Sequence, residues 1–202
     1  MESSLPNCGI CILAGGLSGR MGLNKAGLRL GSRTLLRHIR VEAQKTGLPV
    51  RVIRHDLVPR CGPMGGVFTG LKTSRAEGEI FLACDMPFVS TRLMERLLEF
   101  WQVSHRPVFL GLAGLAGFPF LAPVEALPIV EREMSRRRYS LQRLAQVLRA
   151  KIIPPLRAEE PQLFNVNTPS DWQLALQRWK SLQKTAQARR GPEKEFARAA
   201  CK

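Results

Sequence analysis

The chain has 202 residues, of which 45% are hydrophobic and 23% charged, a balance typical of a globular protein with one well-buried core. Its 31 Lys and Arg residues against 16 Asp and Glu give a net charge of +15, which favours anionic partners such as nucleotides, pyrophosphate or nucleic acid. No apolar run reaches the roughly 18 residues of a membrane span, and residues 1–7 carry none of the basic residues that begin a signal peptide. The sequence therefore predicts a cytoplasmic protein that does not contact a membrane.

The basic residues concentrate in two segments, residues 136–138 and residues 178–202. Neither segment shows the regular aromatic interleaving of a nucleic-acid-binding surface, so a solvated basic face is favoured over nucleic-acid binding. Gly191 and Pro192 end the last helical pattern. We therefore expect one domain over residues 1–190 and a basic, disordered tail over residues 191–202.

In the first half of the chain, strand and helix patterns alternate. Short apolar runs predict buried parallel strands at residues 9–14, 50–53 and 79–84. Helical spacing or a preceding cap residue predicts helices at residues 34–46, 67–74, and from Ser90 or Thr91 to about residue 103. Residues 62–66 are predicted to form a turn. This alternation is typical of an α/β domain with a mostly parallel sheet.

The second half of the chain is less regular. Strands are predicted at residues 108–112, 151–153 and 163–167, and helices at residues 127–134, 141–149 and 172–189. Residues 114–123 are rich in Gly and Pro and predict a loop or a distorted strand.

Three segments follow the carboxyl ends of predicted strands: residues 15–25, 56–66 and 84–88. Ligands of parallel α/β sheets bind at this edge, so we expect the three segments to converge in space.

Residues 13–25 combine four glycines with two cations, Arg20 and Lys25. Glycines allow the backbone to approach a ligand and turn its N–H groups toward it, and the cations can neutralise phosphate charge. The segment matches neither GxxxxGK[ST] nor the dinucleotide pattern GxGxxG. A triphosphate-binding loop and a glycine-rich turn with incidental charges both remain open on this pattern alone.

Two carboxylates lie close to this predicted edge. Asp85 directly follows a buried strand, where a carboxylate can hold Mg²⁺ together with phosphate oxygens and water, or can simply cap a turn. Asp56 lies just past the second strand, where it can accept hydrogen bonds from a base or ribose, or can be an exposed turn residue. His38, His55 and His105 have no metal-ligand spacing.

The five cysteines are odd in number and irregularly spaced, which argues against a disulfide framework. Cys8 and Cys11 spell CxxC, but no second pair completes a zinc site. Because they begin an apolar run, we interpret them as buried thiols in preference to a redox pair.

Four segments together resemble a known family. Residues 13–25 are similar to LAGGxSxRMGxxK, the signature of sugar-phosphate and cofactor nucleotidyltransferases. Asp56 with residues 62–66 resembles D…GPLAG, residues 84–88 resemble CDMPF, and residues 164–171 resemble FxNVNTPED. The NVNTP ending narrows the likeness to the molybdenum cofactor guanylyltransferases, and the four segments span most of the chain.

The resemblance implies a single Rossmann-like three-layer α/β domain and transfer of GMP from GTP to molybdopterin, with release of pyrophosphate and dependence on Mg²⁺. It also implies contact with molybdoenzymes or with other proteins of cofactor synthesis. The roles that it carries over begin with nucleotide binding by Leu13, Ala14, Gly15, Gly16, Lys25, Asp56 and Asp85. The resemblance assigns catalysis to Arg20, Lys25 and Asp85, and metal binding to Asp85. It assigns acceptor binding to Asn165 and Asn167.

The chain departs from the family pattern in two places. Residues 46–50 lead directly into the strand before Asp56, so one strand-helix unit is missing, and with it the Asn at the base-binding edge. Gly117-Phe118-Pro119 resembles the GHP of cytidylyl-transferring relatives, with Phe in place of His. CTP therefore stays an alternative to GTP.

Two further alternatives remain. A sugar-phosphate nucleotidyltransferase would need a longer second half than this chain has. A non-catalytic molybdopterin-binding or regulatory protein would fit the missing unit, but the retained Arg20, Lys25 and Asp85 argue for an enzyme.

Overall fold

The computed structural model describes residues 7–15 and 27–190. Within these residues, six strands form the main sheet in the order β4–β1–β5–β7–β6–β8. They are β1 Cys8–Leu13, β4 Val50–Ile53, β5 Gly78–Ala83, β6 Val108–Leu112, β7 Leu115–Pro123 and β8 Lys151–Ile153. A small hairpin of β2 Arg29–Leu30 and β3 Arg33–Thr34 stands apart from this sheet.

The sheet is mostly parallel, as the alternation of elements predicts. β1 pairs in parallel with β4 on one side and β5 on the other, and β6 pairs in parallel with β8. Only β7 runs against its two neighbours, β5 and β6, because the short turn after β6 reverses the chain directly into it. The carboxyl ends of the five parallel strands therefore lie at one edge.

Helices cover both faces of the sheet and bury two apolar cores. The helices α1 Leu35–Gln44 and α3 Thr91–Ser104 pack over the first core, which includes Ile10, Ile80 and Leu97. The helices α2 Pro63–Lys72, α4 Leu127–Ser135 and α5 Leu141–Val147 pack over the second core, around Phe81 and Phe120. The predicted three-layer α/β domain is confirmed.

A third, smaller cluster joins the last helix, α6 Pro169–Arg190, to the β2–β3 hairpin. Its buried members are Leu30, Leu35, Val166 and Ala175. Beyond Trp179, the described residues of α6 are exposed, so the second half of this helix projects from the domain. The predicted tail, residues 191–202, lies outside the described residues.

Most predicted boundaries agree with the structure to within a few residues, but two predictions are wrong. Residues 62–66 are the first turn of α2 and not a separate turn, because Pro63 is well suited to the first position of a helix. Residues 163–167 form no strand: a 3₁₀ turn, Glu160–Leu163, leads into an extended segment, and among the described residues the Val166 N–H joins this segment to the backbone at the end of β5.

The missing strand-helix unit has a visible consequence. The loop after α1 leads straight into β4, and β4 pairs directly with β1 at the edge of the described sheet. No described strand lies outside β4, so the sheet ends one strand beyond β1 on this side.

One charged pair, formed by Arg51 and Glu79, lies on the face of the sheet that α2 covers. Glu79 on β5 is 1% exposed and accepts hydrogen bonds from Arg51 at 2.6 Å and Ser74 at 2.5 Å. Its other oxygen, Oε2, has no hydrogen-bond partner in the part of the chain that the structure describes. Arg51 also donates to the carbonyl of Gly70, so it ties β4 and β5 to α2.

We predict that Arg51→Met lowers the free energy of unfolding by about 3 kcal/mol, because it leaves the buried Glu79 carboxylate without its counter-charge. The measurement is urea denaturation followed by circular dichroism. Arg92→Met is the control: Arg92 is 72% exposed and pairs only with surface glutamates, so its loss should cost less than about 1 kcal/mol. Equal stability of the two variants would contradict the role assigned to Arg51.

Candidate functional site

Backbone hydrogen bonds draw three of the predicted segments together at the carboxyl edge of the sheet. The Ala14 N–H donates to the carbonyl of Ile53 at 2.8 Å, and the Cys84 N–H donates to the carbonyl of Leu13 at 3.1 Å. These bonds continue the parallel ladders by one residue beyond the strands. The start of the glycine-rich loop therefore lies between the Asp56 segment and the Asp85 segment, and the predicted convergence is confirmed for the described residues.

Asp56 lies between two glycines that leave room for its carboxylate. A Cβ added to Gly65 would stand 2.8 Å from Asp56 Oδ2, and a Cβ added to Gly15 would stand 3.3 Å from Asp56 Oδ1. Burial raises the pKa of the Asp56 carboxyl, and the charge of His55 opposes that increase. Asp56 is thus a partly buried acceptor beside the loop, and not an exposed turn residue.

The first turn of α2 forms the floor beneath Asp56. Gly62 caps this helix with a φ of 54°, which favours glycine, and Pro63 begins it. A helix N-terminus carries partial positive charge and free N–H groups, so it favours anionic groups nearby. Leu13 packs closely against Gly66 in the same turn, since a Cβ at Gly66 would stand 2.9 Å from Leu13 Cδ1.

Sequence reasoning missed the role of Thr69. This side chain is buried; its hydroxyl accepts a hydrogen bond from the Leu57 N–H at 2.9 Å and donates to the Gly65 carbonyl at 2.8 Å. It therefore fixes the segment that carries Asp56 onto α2. In the sequence, Thr69 is a polar residue within an apolar helix. A local pattern cannot show whether such a residue is buried or exposed.

The segment carrying the two predicted acceptor residues joins the site through Asp85. The Val166 N–H donates to the carbonyl of Asp85 at 2.9 Å, and Val166 itself is fully buried. Asn165 and Asn167 are its two chain neighbours, so they flank this bond; Asn165 is exposed and Asn167 half-buried. The segment of residues 164–171 thus lies beside the segment of residues 84–88.

The helix α6 holds this segment by a reciprocal cap. The Asp171 carboxylate accepts hydrogen bonds from the N–H groups of Asn167 and Thr168 at 2.9 and 2.8 Å. In return the Asp171 N–H donates to Thr168 Oγ1 at 3.1 Å. The NTPSD run predicts this helix start, and the cap fixes the backbone of Asn167.

The described residues can be tested for their fit to Mg²⁺. Asp85 stands half-buried at the end of β5, next to the loop start. Across residues 7–15 and 27–190, no three His, Cys, Asp or Glu side chains gather as a metal site would require. Asp85 is a candidate ligand because of its chemistry, since Mg²⁺ prefers a carboxylate together with phosphate oxygens and water.

Three predicted site residues, Gly16, Arg20 and Lys25, lie outside the described residues. Their roles in phosphate binding stay predictions. The described start of the same loop, Leu13 to Gly15, points the chain across the carboxyl edge between Asp56 and Asp85.

The CxxC cysteines are not a redox pair. Cys8 packs in the first core and Cys11 in the second, so their side chains lie on opposite faces of the sheet. Burial, with Glu79 close by, raises the pKa of each thiol to about 12. Both thiols stay protonated near neutral pH, which confirms the interpretation as buried core residues.

Comparison with known proteins agrees with this geometry. A crystal structure of molybdopterin-guanine dinucleotide biosynthesis protein A from Archaeoglobus fulgidus superposes with a TM-score of 0.69; it is 19% identical, and the match covers 85% of this chain and 98% of that one. The chain therefore shares the fold of that protein, a three-layer α/β domain whose strands end at one carboxyl edge.

Sequence comparison identifies the family. The family model described as MobA-like NTP transferase domain matches residues 40–152, and the chain belongs to this family of enzymes. The molybdenum cofactor guanylyltransferase of Pseudomonas entomophila is 30% identical over 197 residues, which cover 84% of this chain and 98% of the relative. The enzyme of that name from Pseudomonas putida KT2440 is 29% identical, and the match covers 84% of this chain and 97% of that relative.

None of the helices that the structure describes has the length and apolar character to cross a membrane.

We predict that Gly65→Ala raises the KM for the nucleotide several-fold while the domain stays folded. The new Cβ would meet Asp56 Oδ2 at 2.8 Å and the Val58 carbonyl at 2.9 Å, so the carboxylate must move. Steady-state kinetics measures the KM, and circular dichroism checks the fold. Lys72→Ala is the matched control, because Lys72 lies in the same helix and is exposed; an unchanged KM in both variants would show that Asp56 is not at the nucleotide.

Proposed function

We propose that this protein transfers GMP from GTP to molybdopterin and releases pyrophosphate, with Mg²⁺ as cofactor. The observation that carries the proposal is the backbone bonding of the Leu13, Asp56, Asp85 and Val166 segments into one edge site. Relatives named molybdenum cofactor guanylyltransferase, matched over almost their whole length, support the choice of substrates.

In the proposed reaction, a phosphate oxygen of molybdopterin attacks the α-phosphorus of GTP. A new oxygen–phosphorus bond forms, the bond to the β-phosphate bridging oxygen breaks, and pyrophosphate leaves. The attacking phosphate is already anionic near neutral pH, so the reaction requires no general base. Positioning of the two substrates and neutralisation of charge supply most of the rate enhancement.

The protein residues divide this work along the sheet edge. Asp56, with the backbone of Ala14 and Gly15, would receive the base or ribose, while Gly16, Arg20 and Lys25 would surround the triphosphate. Asp85 would hold Mg²⁺, which when bound offsets charge on the phosphates. Asn165 and Asn167 would face the acceptor.

CTP is the second candidate donor. β4 forms the edge of the described sheet next to β1, so the base side of the site lacks the outer strand and the Asn that the family resemblance led us to expect. Asp56 is then the described polar side chain best placed to select the base. A carboxylate can accept hydrogen bonds from the N–H groups of guanine or from the amino group of cytosine, so base choice has to be measured.

We expect pyrophosphate release with GTP when the full chain is incubated with each of the four nucleoside triphosphates, Mg²⁺ and molybdopterin. Phosphate-coupled detection after pyrophosphatase gives the rate, and mass spectrometry identifies the dinucleotide product. Release with CTP alone would assign cytidylyl transfer instead. Binding of molybdopterin without turnover of any nucleotide would support a non-catalytic binding protein and overturn the enzymatic proposal.

We expect Asp85→Ala to lower kcat about 100-fold or more, because the variant loses the carboxylate proposed to hold Mg²⁺. Asp85→Glu should recover part of the activity at a higher Mg²⁺ concentration, a shift that a structural role would not produce. Glu99→Ala removes an exposed carboxylate of α3 and serves as the control. Near-normal activity of Asp85→Ala would refute the assignment of the metal to this residue.

The cytoplasmic location stays a prediction from the sequence. Delivery of the product to a molybdoenzyme implies a protein partner, which we leave as a prediction of the family resemblance.

A further inference from the structure

A β-bulge interrupts the sheet next to the proposed site. On β7, Phe120 pairs with Phe109 of β6, but the next pair along is Gly117 with Leu110. Phe118 and Pro119 therefore have no partner on β6. Bulges of this kind redirect a side chain away from its regular position, and they are enriched beside active sites.

The redirected side chain is that of Phe118, which packs against the cores on both faces of the sheet. A residue in an unbroken ladder contacts only one face, so its ring must occupy the gap that the bulge opens. The ring lies 5.3 Å from Phe120, which itself stacks on Phe109 at 4.3 Å with an angle of 2° between the planes. Phe118 thus ends a group of neighbouring aromatic rings, and its own ring is tilted by 38° from that of Phe120.

The outer side of this ring group is accessible. Phe118 is half-buried, and a Cβ on the preceding residue, Gly117, would meet nothing within 4 Å. The strand before the bulge is held in place, because the Ala116 N–H donates to the Gln142 side chain of α5 at 2.6 Å. Phe118 is thus a partly exposed ring on a strand that α5 holds in place.

Phe118 lies on the part of the carboxyl edge that is proposed to bind the acceptor. β7 is the neighbour of β5 opposite to β1, and the last β5–β7 pair is Phe81 with Phe120. Phe118 extends from that pair toward the same edge as Asp85. Strands lie about 5 Å apart, so Phe118 is roughly one strand beyond Asp85, whereas the Asp56 segment lies two strands away on the other side.

We propose that Phe118 is the platform on which the planar ring of the acceptor stacks. This inference rests on the proposed function, whose acceptor carries a pterin: a flat, polar heteroaromatic ring that pairs well with a phenyl ring in an offset stack. The ring of Phe118, backed by the buried Phe120, would orient the pterin while the acceptor phosphate extends toward Asp85. Phe118 is accordingly a residue that determines acceptor specificity, and it takes no part in bond making.

The test compares Phe118→Leu with Phe118→Tyr in the full chain. Stacking is worth about 0.5–1.5 kcal/mol, so the leucine variant should raise both the Kd for molybdopterin and its KM about threefold to tenfold. The tyrosine variant should stay close to wild type, and the KM for the nucleotide should change in neither. Equilibrium dialysis measures the Kd of molybdopterin without requiring turnover.

Phe100→Leu is the matched control, because Phe100 is a partly exposed ring near the end of α3 farthest from the site. Thermal unfolding checks that each variant is folded. Unchanged affinity for molybdopterin in Phe118→Leu overturns the stacking role but leaves the proposed function intact if turnover persists. An equal rise in the constants for nucleotide and molybdopterin also overturns it, since that indicates a general distortion. If the wild-type chain neither binds nor uses molybdopterin, the proposed function fails and the platform fails with it.

Discussion

The parallel pairing of β1 with both β4 and β5 is the constraint on which the rest of the site depends. In this register Leu13 stands level with Ile53 on one side and with Ala83 on the other. Three strands that end at the same level must release their following loops at the same place. The described start of the glycine-rich loop, the Asp56 segment and the Asp85 segment therefore meet without any direct sequence relation among them. Apolar cores on both faces hold the register, because a slip of one residue would exchange the buried side chains of β1 between the two layers.

The carboxyl edge has two halves, one on the β4 side of Asp85 and one on the β7 side. On the β4 side, next to the α2 N-terminus, Gly15 and Gly65 leave space for the Asp56 carboxylate that a methyl group would fill, and the nucleotide is proposed to bind there. On the β7 side, the bulge interrupts the pairing of β7 with β6 and places the Phe118 ring at the edge. Asp85 and the Val166 segment lie between the halves, which is where the proposed function would bring the two substrates together.

Local patterns predicted much of the fold because each of the main elements has its own signal. The strands β1, β4 and β5 are short apolar runs, Ser90 and Thr34 are cap residues with hydrogen bonds to the third residue of their helices, and Thr168 with Asp171 forms a reciprocal cap. The prediction failed where long-range contacts decide the conformation. Residues 163–167 have the composition of a strand, but the backbone bonds described for this segment run to the Asp85 carbonyl and to the Asp171 side chain, beyond the end of the sheet. The β2–β3 hairpin was missed because two-residue strands leave no periodic pattern.

By itself the sequence determined the class of fold, the chain positions of the site segments and the types of residue that they carry, because hydrophobic periodicity, caps and glycine content act over a few neighbouring residues. Tertiary structure alone decided which residues touch. It separated Cys8 from Cys11 onto opposite faces, made Thr69 the support of the Asp56 segment, and turned the irregular residues 114–123 into a bulged strand that carries Phe118 to the edge. These outcomes depend on register and on packing between elements distant in the chain, and no local pattern encodes either.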